Sequence, residues 1–519
     1  MQSTKFALLS VFDKKNITTL ATQLAKSGYT IISTGGTAKA LNKANIPFKP
    51  IQEITGNPES FDGRMKTISF EIESGILYDR LNPKHIQEAK ELHIKPIDIV
   101  ICNLYPFEQT INKKPPVTLE EAVENIDVGG PTMIRAAAKN FKNVLVVVDP
   151  NDYEKIANAI TKKTIDPTLR RELSAKAFSH LSFYDAQIAQ YLKFEKFPTE
   201  FVLPGRKILD LRYGENPHQQ AAVYVRPSQE TPFAHLQKHW GRDLSFINIT
   251  DINAGLEAIR LFTEPAAVVI KHNSPCGLAL GKTPADALAR AIAADPESAF
   301  GGIIVMNKAM DMQSAHAIGS FKDATKGNMD IVAVPAIRKN ALTYLQKMRK
   351  SMGIYTFGDI PTQPDAQNIK WIDGGFIMQT ADLGIKKSFK HWTVVTKKKP
   401  TKQQVEQMQI GWKFISRIRS NTIVIMDKNL PMTRGIGSGQ TSRIRSSKIA
   451  IDQAGEKTNG AILVSDSFFP FPDTIALAVK HGISAIIQQG GSINDTQSIT
   501  AADKAGIAMV FTGRRAFWH

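Results

Sequence analysis

Short, apolar, β-rich runs recur along the whole chain, and each is followed by a stretch whose apolar residues return at helical spacing. That alternation admits one broad class, α/β, with strands joined by helices. The expected strands fall at residues 6–12, 29–33, 97–104, 144–148, 266–270, 302–306, 331–334, 422–425, 461–464, 485–488 and 507–511. The same reading takes them as parallel throughout. At residues 193–206, KFEKFPTEFVLPGR, two prolines and a run of charge interrupt the alternation. This predicts a first domain of residues 1–195. A second interruption, where Gly, Pro, Gln and Asp cluster at about 350–390, divides the remaining 196–519 into lobes at about 205–365 and 366–519.

Other classes are excluded by what is missing. No apolar run approaches the roughly 18 residues of a spanning helix, and Asp13 and Lys14 interrupt the first apolar stretch where a leader would be cleaved. Two distant cysteines, Cys102 and Cys276, make neither a disulfide framework nor a four-ligand zinc site, so a reducing, cytoplasmic setting is expected. Basic residues outnumber acidic ones 65 to 48, for a net charge of +17, which points to an anionic partner. Without an aromatic-basic RNA signature, zinc finger or basic amphipathic helix, an anionic metabolite is preferred to nucleic acid; a basic RNA-binding protein is the alternative from another class.

Strand 6–12 runs through Ser10 toward Lys14, and strand 29–33 ends in Thr34-Gly35-Gly36-Thr37 before a helical run. Glycines let backbone N–H groups approach a phosphate, hydroxyls donate, and a helix start adds positive potential, so Ser10, Lys14, Thr34, Gly36 and Thr37 are candidate anion ligands. A plain strand-to-helix turn with Ser/Thr caps explains the same residues. A turn-rich loop then presents Arg64, Lys66 and Thr67, which are otherwise solvated surface groups. Tyr105 follows the strand at 97–104, and Asp127 precedes a Gly-Gly-Pro-Thr stretch that carries Arg135 and Lys139. Polar residues at strand ends are where α/β sheets take ligands.

In the second half, Leu211-Arg212-Tyr213-Gly214-Glu215-Asn216-Pro217-His218 offers a guanidinium for a phosphate and a ring for a heterocycle. Lys271-His272 follows the strand at 266–270; since neighbouring side chains in a strand point apart, joint action requires the strand to end here, as Asn273-Ser274-Pro275 suggests. Cys276 has no paired base and reads as a buried small residue. The glycines at 435, 437 and 439 have the wrong spacing for dinucleotide binding. The segment 465–473, with Phe468, Phe469, Phe471 and Asp473, reads as core packing first and a ligand shelf second.

The motifs STGGTAKAL, ITGNPESFDGRMKT, CNLYPF and NIDVGGPTMIRAAAKN, followed by LRYGENPHQ, KHNSPCG, DPESAFGG, Ser420-Asn421, QGGS and the last residues 511–519, resemble the bifunctional AICAR transformylase/IMP cyclohydrolase family over essentially the whole chain. The resemblance implies a methylglyoxal-synthase-like N-terminal domain followed by two cytidine-deaminase-like lobes without zinc, and a homodimer with composite transformylase sites. It implies formyl transfer from 10-formyltetrahydrofolate, a co-substrate, to AICAR, then cyclodehydration of FAICAR to IMP, with no metal required and no membrane or nucleic-acid partner. The substrate phosphate would lie near Ser10, Lys14, Thr34, Gly36, Thr37, Arg64 and Thr67, with Lys66, Tyr105, Asp127 and Lys139 around the closing ring. Lys271 and His272 would be catalytic and Asn421 their orienting partner. Arg212, Tyr213, Phe300, Asp330, Arg443, Phe468, Phe471, Asp473, Arg515 and His519 would line the nucleotide or folate sites. The family usually continues K-T-L-H-P-x-I-H-x-G after Lys66; here residues 69–75, SFEIESG, replace both histidines and the proline. The alternative within the family is therefore an active transformylase with an impaired cyclohydrolase, through Ser69, Phe70 and Glu73, the new glutamates repelling the phosphate.

Overall fold

A computed structural model describes residues 5–61, 63–325, 327–361 and 367–519. The chain forms two compact units: one runs to Arg206 and includes Arg226–Gln229, the other comprises Lys207–Val225 and Glu230–His519.

The first unit is built on a five-stranded parallel sheet in the spatial order Lys49–Pro50, Tyr29–Ser33, Lys5–Val11, Ile97–Asn103, Leu145–Val147. Helices cover both faces, so the inner strands are apolar almost without interruption: Ala7, Leu8, Leu9, Val100 and Ile101 are fully buried. The chain leaves the central strand in one direction and returns on its other side, so the strand order reverses between Lys5–Val11 and Ile97–Asn103. Ser10 pairs with Cys102 and Val11 with Asn103, so both strands end at the same level, and loops diverge from that point to leave a crevice. The helix Pro167–Leu192 closes one face with Leu173, Ala177, Leu181 and Tyr184; Asp166 caps it by accepting the Leu169 N–H at 2.7 Å, and Pro167 occupies the first turn, where no donor is needed.

The second unit holds two six-stranded sheets with one plan. In order, the first is Ser274–Leu280, Ala266–Lys271, Gly302–Met306, Met329–Val334, Gly353–Thr356, Gln237–Trp240; the second is Thr433–Gly437, Ile423–Met426, Ile462–Ser465, Ala485–Gln488, Ala508–Phe511, Thr393–Val394. In both, successive pairs run antiparallel, antiparallel, parallel, parallel, antiparallel. The corresponding edge strands meet: Leu278 N–H donates to Thr433 Oγ1 at 3.1 Å, and Leu280 N–H to the Pro431 carbonyl at 2.8 Å. The all-parallel expectation is thus corrected for this unit. Its source is two missed hairpins: Ala266–Lys271 to Ser274–Leu280, whose second strand opens with Ser-Pro and reads in sequence as a loop, and Ile423–Met426 to Thr433–Gly437, whose second strand runs into a glycine-rich loop.

Residues 69–75 begin the helix Phe70–Leu77, capped by Ser69, which accepts the Ile72 N–H at 3.2 Å. Glu71 and Glu73 occupy its first turn, where the helix dipole favours acids. Glu73 is half-buried, one carboxyl oxygen has no hydrogen-bond partner, and burial pushes its pKa up to about 7. Well below the unperturbed 4.5, folded and unfolded chains both hold this proton; as pH rises through 4.5 the unfolded chain ionises first, so stability falls until about pH 7 and stays lower. Glu73→Gln removes the penalty: thermal melting at about pH 8 is expected to rise by a few degrees, and the difference is expected to shrink as pH falls and to vanish well below 4.5.

Candidate functional site

At the carboxyl ends of the first unit's central strands lies a cavity of about 810 Å³. One wall is the start of the helix Gly35–Lys43. Thr34 stands at its cap in extended conformation but makes no capping bond, and its hydroxyl is buried without a partner. The first-turn N–H groups of a helix have no acceptors within the helix, so this start presents donors and partial positive charge to the cavity. Thr37 is committed elsewhere. Its hydroxyl accepts the Val11 N–H at 2.9 Å and donates to the Val11 carbonyl at 3.0 Å, pinning the helix start to the strand end rather than offering a free hydroxyl to a ligand.

Two ammonium groups close on the same helix start. Lys14 donates to the Val11 and Phe12 carbonyls at 3.0 and 2.8 Å, and burial, with Lys66 nearby, lowers its pKa against the opposing Asp13. Lys66 pairs with Glu59 at 3.2 Å. Gly35 has φ of +54°, and a Cβ there would stand 2.5 Å from Lys66 Nζ; one on Gly36 would stand 3.1 Å from Lys14 Nζ. Glycine is what allows both lysines this close. Arg64 pairs with Glu124 at the mouth, while Thr67, buried, lies against Gly129, and Ser10 completes the lining.

The same cavity is also lined by an acid and a phenol, Asp127 and Tyr105. Asp127 accepts the Gly130 N–H at 2.8 Å and the Tyr105 N–H at 3.4 Å, and its own N–H donates to Tyr184 Oη at 2.9 Å. Burial raises the Asp127 pKa against those two donors; burial and the Asp127 charge raise that of Tyr105. Asn103, absent from the sequence-derived set, also lines the cavity and holds the Phe12 and Asp13 amides at 2.6 and 2.8 Å. Lys139 does not line it. It is exposed at the far end of the helix Gly129–Lys139, about 15 Å along the axis from Gly129, so sharing a motif with Asp127 does not bring it to the cavity. Glu71 and Glu73 are also outside the lining, so the expected repulsion of a phosphate is not what the fold arranges.

The second unit gathers its residues into two clusters. Lys271 ends its strand and donates to the Phe300 carbonyl at 2.9 Å; the Phe300 ring beside it is half-exposed. His272 and Asn273, with φ of 53° and 58°, form the two-residue turn of the hairpin, a conformation in which His and Asn are enriched among non-glycine residues. The strand therefore ends at Lys271, and the chain turns at 272–273, ahead of Ser274-Pro275. Asp251, buried on the helix Phe246–Ile259, accepts the Asn273 N–H at 2.6 Å; burial raises its pKa, opposed by the Asn273 amide and the His272 side chain and amide. Asp251 was missed, although an acid within the buried stripe of Ile252, Gly255, Leu256 and Ile259 was a readable signal. Near the start of this helix, exposed Arg212 stacks on the Tyr213 ring at 4.6 Å and donates to its hydroxyl at 2.8 Å, while the Tyr213 carbonyl accepts the Phe246 N–H. Asp330 pairs with Arg242 at 3.0 Å.

The other cluster centres on buried Arg443, which bonds Asp466, Ser465 at 2.9 Å and Asn421 Oδ1 at 2.7 Å. Asn421 Nδ2 donates to the Gln440 carbonyl at 2.9 Å. Among the described residues no hydrogen bond joins Asn421 to Lys271 or His272. The C-terminal tail packs here: Ala516 N–H donates to the Asp466 carbonyl and Ser420 N–H to the Trp518 carbonyl, while Arg515 stacks on Phe517 at 4.4 Å and His519 meets the same ring. In the shelf at 465–473, Phe469 is fully buried while Phe468 is partly and Phe471 largely exposed; Asp473, exposed, begins the helix Asp473–Lys480. Gly435 and Gly437 lie in a strand, where a Cβ would collide with the Ala450 and Ser446 carbonyls, so they serve close strand–helix packing. Among the described residues no three His, Cys, Asp or Glu side chains are grouped to hold a metal ion.

Comparison with known proteins matches residues 137–453 to the AICARFT/IMPCHase bienzyme family and residues 16–132 to the MGS-like domain. The bifunctional purine biosynthesis protein PurH of Oceanobacillus iheyensis is 42% identical over 519 residues, 99% of this chain and 100% of that protein. PurH of Bacillus subtilis is 43% identical over 521 residues, 99% of each. A solved structure, ForH, is 33% identical over 36% of this chain and 95% of its own, with a TM-score of 0.33, too low to support an argument.

If the helix start at Gly35 is the anion seat, adding a Cβ there displaces Lys66 and strains a left-handed backbone. Gly35→Ala is expected to weaken binding of inorganic phosphate, followed by calorimetry, by about tenfold.

Proposed function

The chain belongs to the AICARFT/IMPCHase bienzyme family, and from that membership we propose how its units share two reactions. The activities are formyl transfer to AICAR and closure of the product, FAICAR, to IMP in purine biosynthesis. Closure is assigned to the methylglyoxal-synthase-like domain, residues 1–195. Formyl transfer is assigned to residues 196–519, whose two sheets of matching order support reading them as two cytidine-deaminase-like lobes.

The observation that carries the first assignment is one cavity lined both by an open helix start with lysines and by a carboxylate and a phenol, Asp127 and Tyr105. The nucleotide phosphate is taken by the open start of Gly35–Lys43 with Lys14 and Arg64; Thr34 and Thr67 supply hydroxyls, Ser10 lines the wall, and Lys66 is left to the closing ring. For closure, the carboxamide nitrogen attacks the formyl carbon, a C–N bond forms and the oxygen leaves as water. Asp127, fixed by two amides, accepts the proton that nitrogen loses. Tyr105, whose raised pKa keeps it protonated, donates toward the departing oxygen, and Lys66 stabilises charge on it. Lys139 has no part in this reading.

For formyl transfer, the AICAR amine attacks the formyl carbon of 10-formyltetrahydrofolate; the new C–N bond replaces the one to the folate nitrogen, releasing tetrahydrofolate. The amine is a weak nucleophile because its lone pair is delocalised, so its proton must be removed during attack. His272, projected by a two-residue turn that Asp251 clamps, takes that proton, and Lys271 stabilises the developing oxyanion or protonates the leaving nitrogen. Arg212 and Tyr213 are read as nucleotide contacts, with Phe300, Asp330, Phe468, Phe471, Asp473, Arg515 and His519 along the nucleotide or folate surfaces.

A homodimer with composite transformylase sites has two supports. Asn421 and Arg443 are bonded to one another and not to the Lys271–His272 pair of the same chain. The ribbon Gln367–Ile372 and Gly375–Thr380 exposes Trp371 and Phe376, cross-strand neighbours on one of its faces, an apolar patch suited to a second copy. A cytoplasmic setting is consistent with two free, buried cysteines and with no described helix long and apolar enough to cross a membrane. The impaired-cyclohydrolase alternative is not supported: the relatives carry the bifunctional name, and the divergent segment is a capped helix outside the cavity. The RNA-binding alternative leaves the lysine-lined cavity and the clamped histidine turn without a purpose.

His272→Ala is expected to abolish FAICAR formation from AICAR and 10-formyltetrahydrofolate while leaving conversion of supplied FAICAR to IMP unchanged; loss of both would refute separate sites. Mixing inactive His272→Ala and Asn421→Ala chains under subunit exchange is expected to restore about a quarter of the parental formyl transfer, since half the dimers would be mixed and each would hold one intact site. No recovery despite exchange would place both residues in one chain's site.

A further inference from the structure

Beside the C-terminal part of the helix Pro167–Leu192, the first unit has a second cavity, open to solvent and of about 270 Å³, which shares no lining residue with the nucleotide cavity. Two polar groups in it are unsatisfied. Gln187 is 7% exposed; its amide N–H donates to the Phe183 carbonyl at 3.2 Å, and its Oε1 is buried with no partner. Arg226 is half-buried, and among the described residues it forms no ion pair and no hydrogen bond; burial lowers its pKa, with no neighbouring charge offsetting the effect. Among the described residues the one carboxylate bonded to this stretch of chain, Glu108, is occupied by Arg206 at 2.6 Å and the Ser228 N–H at 3.2 Å. Gln190 is likewise committed, to the Val202 carbonyl at 2.6 Å. The remaining wall is apolar and aromatic, with Tyr191, Phe201 and Leu203.

Partly withdrawing a guanidinium from water without a counter-charge is costly, and so is burying an amide oxygen without a donor. Water can satisfy Gln187 but brings no charge to Arg226. One occupant satisfies both: an anion for the guanidinium, an N–H or O–H for the amide oxygen, and a flat apolar body for the rings and Leu203. At about 30 Å³ per water, the volume corresponds to roughly nine waters, hence to a ligand of about ten non-hydrogen atoms. We propose that this cavity is a separate binding site for a small aromatic or similarly flat carboxylate that carries a hydrogen-bond donor at its far end, with Arg226 on the carboxylate and Gln187 on the donor.

The probe is 4-hydroxybenzoate, titrated calorimetrically into the full chain already saturated with IMP so that the nucleotide cavity is filled. Saturable binding with one site per chain and a Kd of about 1 mM or tighter is expected. Arg226→Met should weaken it at least about tenfold, and benzoate, without the donor, should bind several-fold more weakly to the parent chain. Gln187→Glu puts a carboxylate into the same cavity as Arg226; it should abolish probe binding and raise the melting temperature, which decides the matter even if Arg226→Met does not fold. Absence of saturation by about 10 mM overturns the proposal, as does undiminished binding in Gln187→Glu. Inorganic phosphate binding as tightly as the probe, in an Arg226-dependent way, would also overturn it by making the site one for a bare anion.

Discussion

Backbone N–H groups at the start of the helix Gly35–Lys43 have no side-chain cap, and the first unit's chemistry depends on that vacancy. A capping side chain would satisfy the donors and remove the anion seat. Instead Thr34 points a buried, unpaired hydroxyl beside them, and Thr37 spends its own hydroxyl on Val11 so that the helix start stays registered to the strand end. The parallel pairing of Lys5–Val11 with Ile97–Asn103 then brings Asn103 and the Asp127 loop to the same level. A phosphate seat and an acid–phenol pair thus line one cavity although they come from different stretches of chain.

In the second unit the comparable constraint is the two-residue turn at His272–Asn273. Both residues adopt a left-handed backbone, and buried Asp251 on the facing helix holds the turn by its amides. The two sheets of the unit share one strand plan but use it differently. The first displays Lys271 and His272 at the carboxyl end of its second strand; the corresponding strand of the other sheet, Ile423–Met426, is preceded by Asn421, which is fixed by Arg443 and Gln440. The buried Arg443–Asp466 pair is therefore structural support for Asn421 and the C-terminal tail as much as a ligand contact.

Where local pattern was strong, the fold was legible. Each expected strand is present within a few residues of its reading, because runs such as Ile97–Asn103 and Gly302–Met306 are apolar enough to be recognised alone. Ser274–Leu280 was not legible: it begins Ser-Pro-Cys-Gly, and its strand character comes from pairing with Ala266–Lys271. The site was legible in its residue types and less so in its assembly. Lys139 and Asp127 share a motif but sit at different ends of a rigid helix, and the glutamates at 71 and 73 look adjacent to the anion loop yet turn away on a helix of their own.

The amino-acid sequence by itself determined the α/β class, the family and the groups able to do chemistry, because apolar period, glycine-rich turns and the lysine–histidine pair are local properties of the chain. Tertiary structure decided which of those groups meet. Direction of strand pairing, the clamp of Asp251 on a turn 22 residues away, and the unpaired Gln187 and Arg226 in a second cavity depend on contacts between segments distant in sequence, and no local pattern encodes a distance.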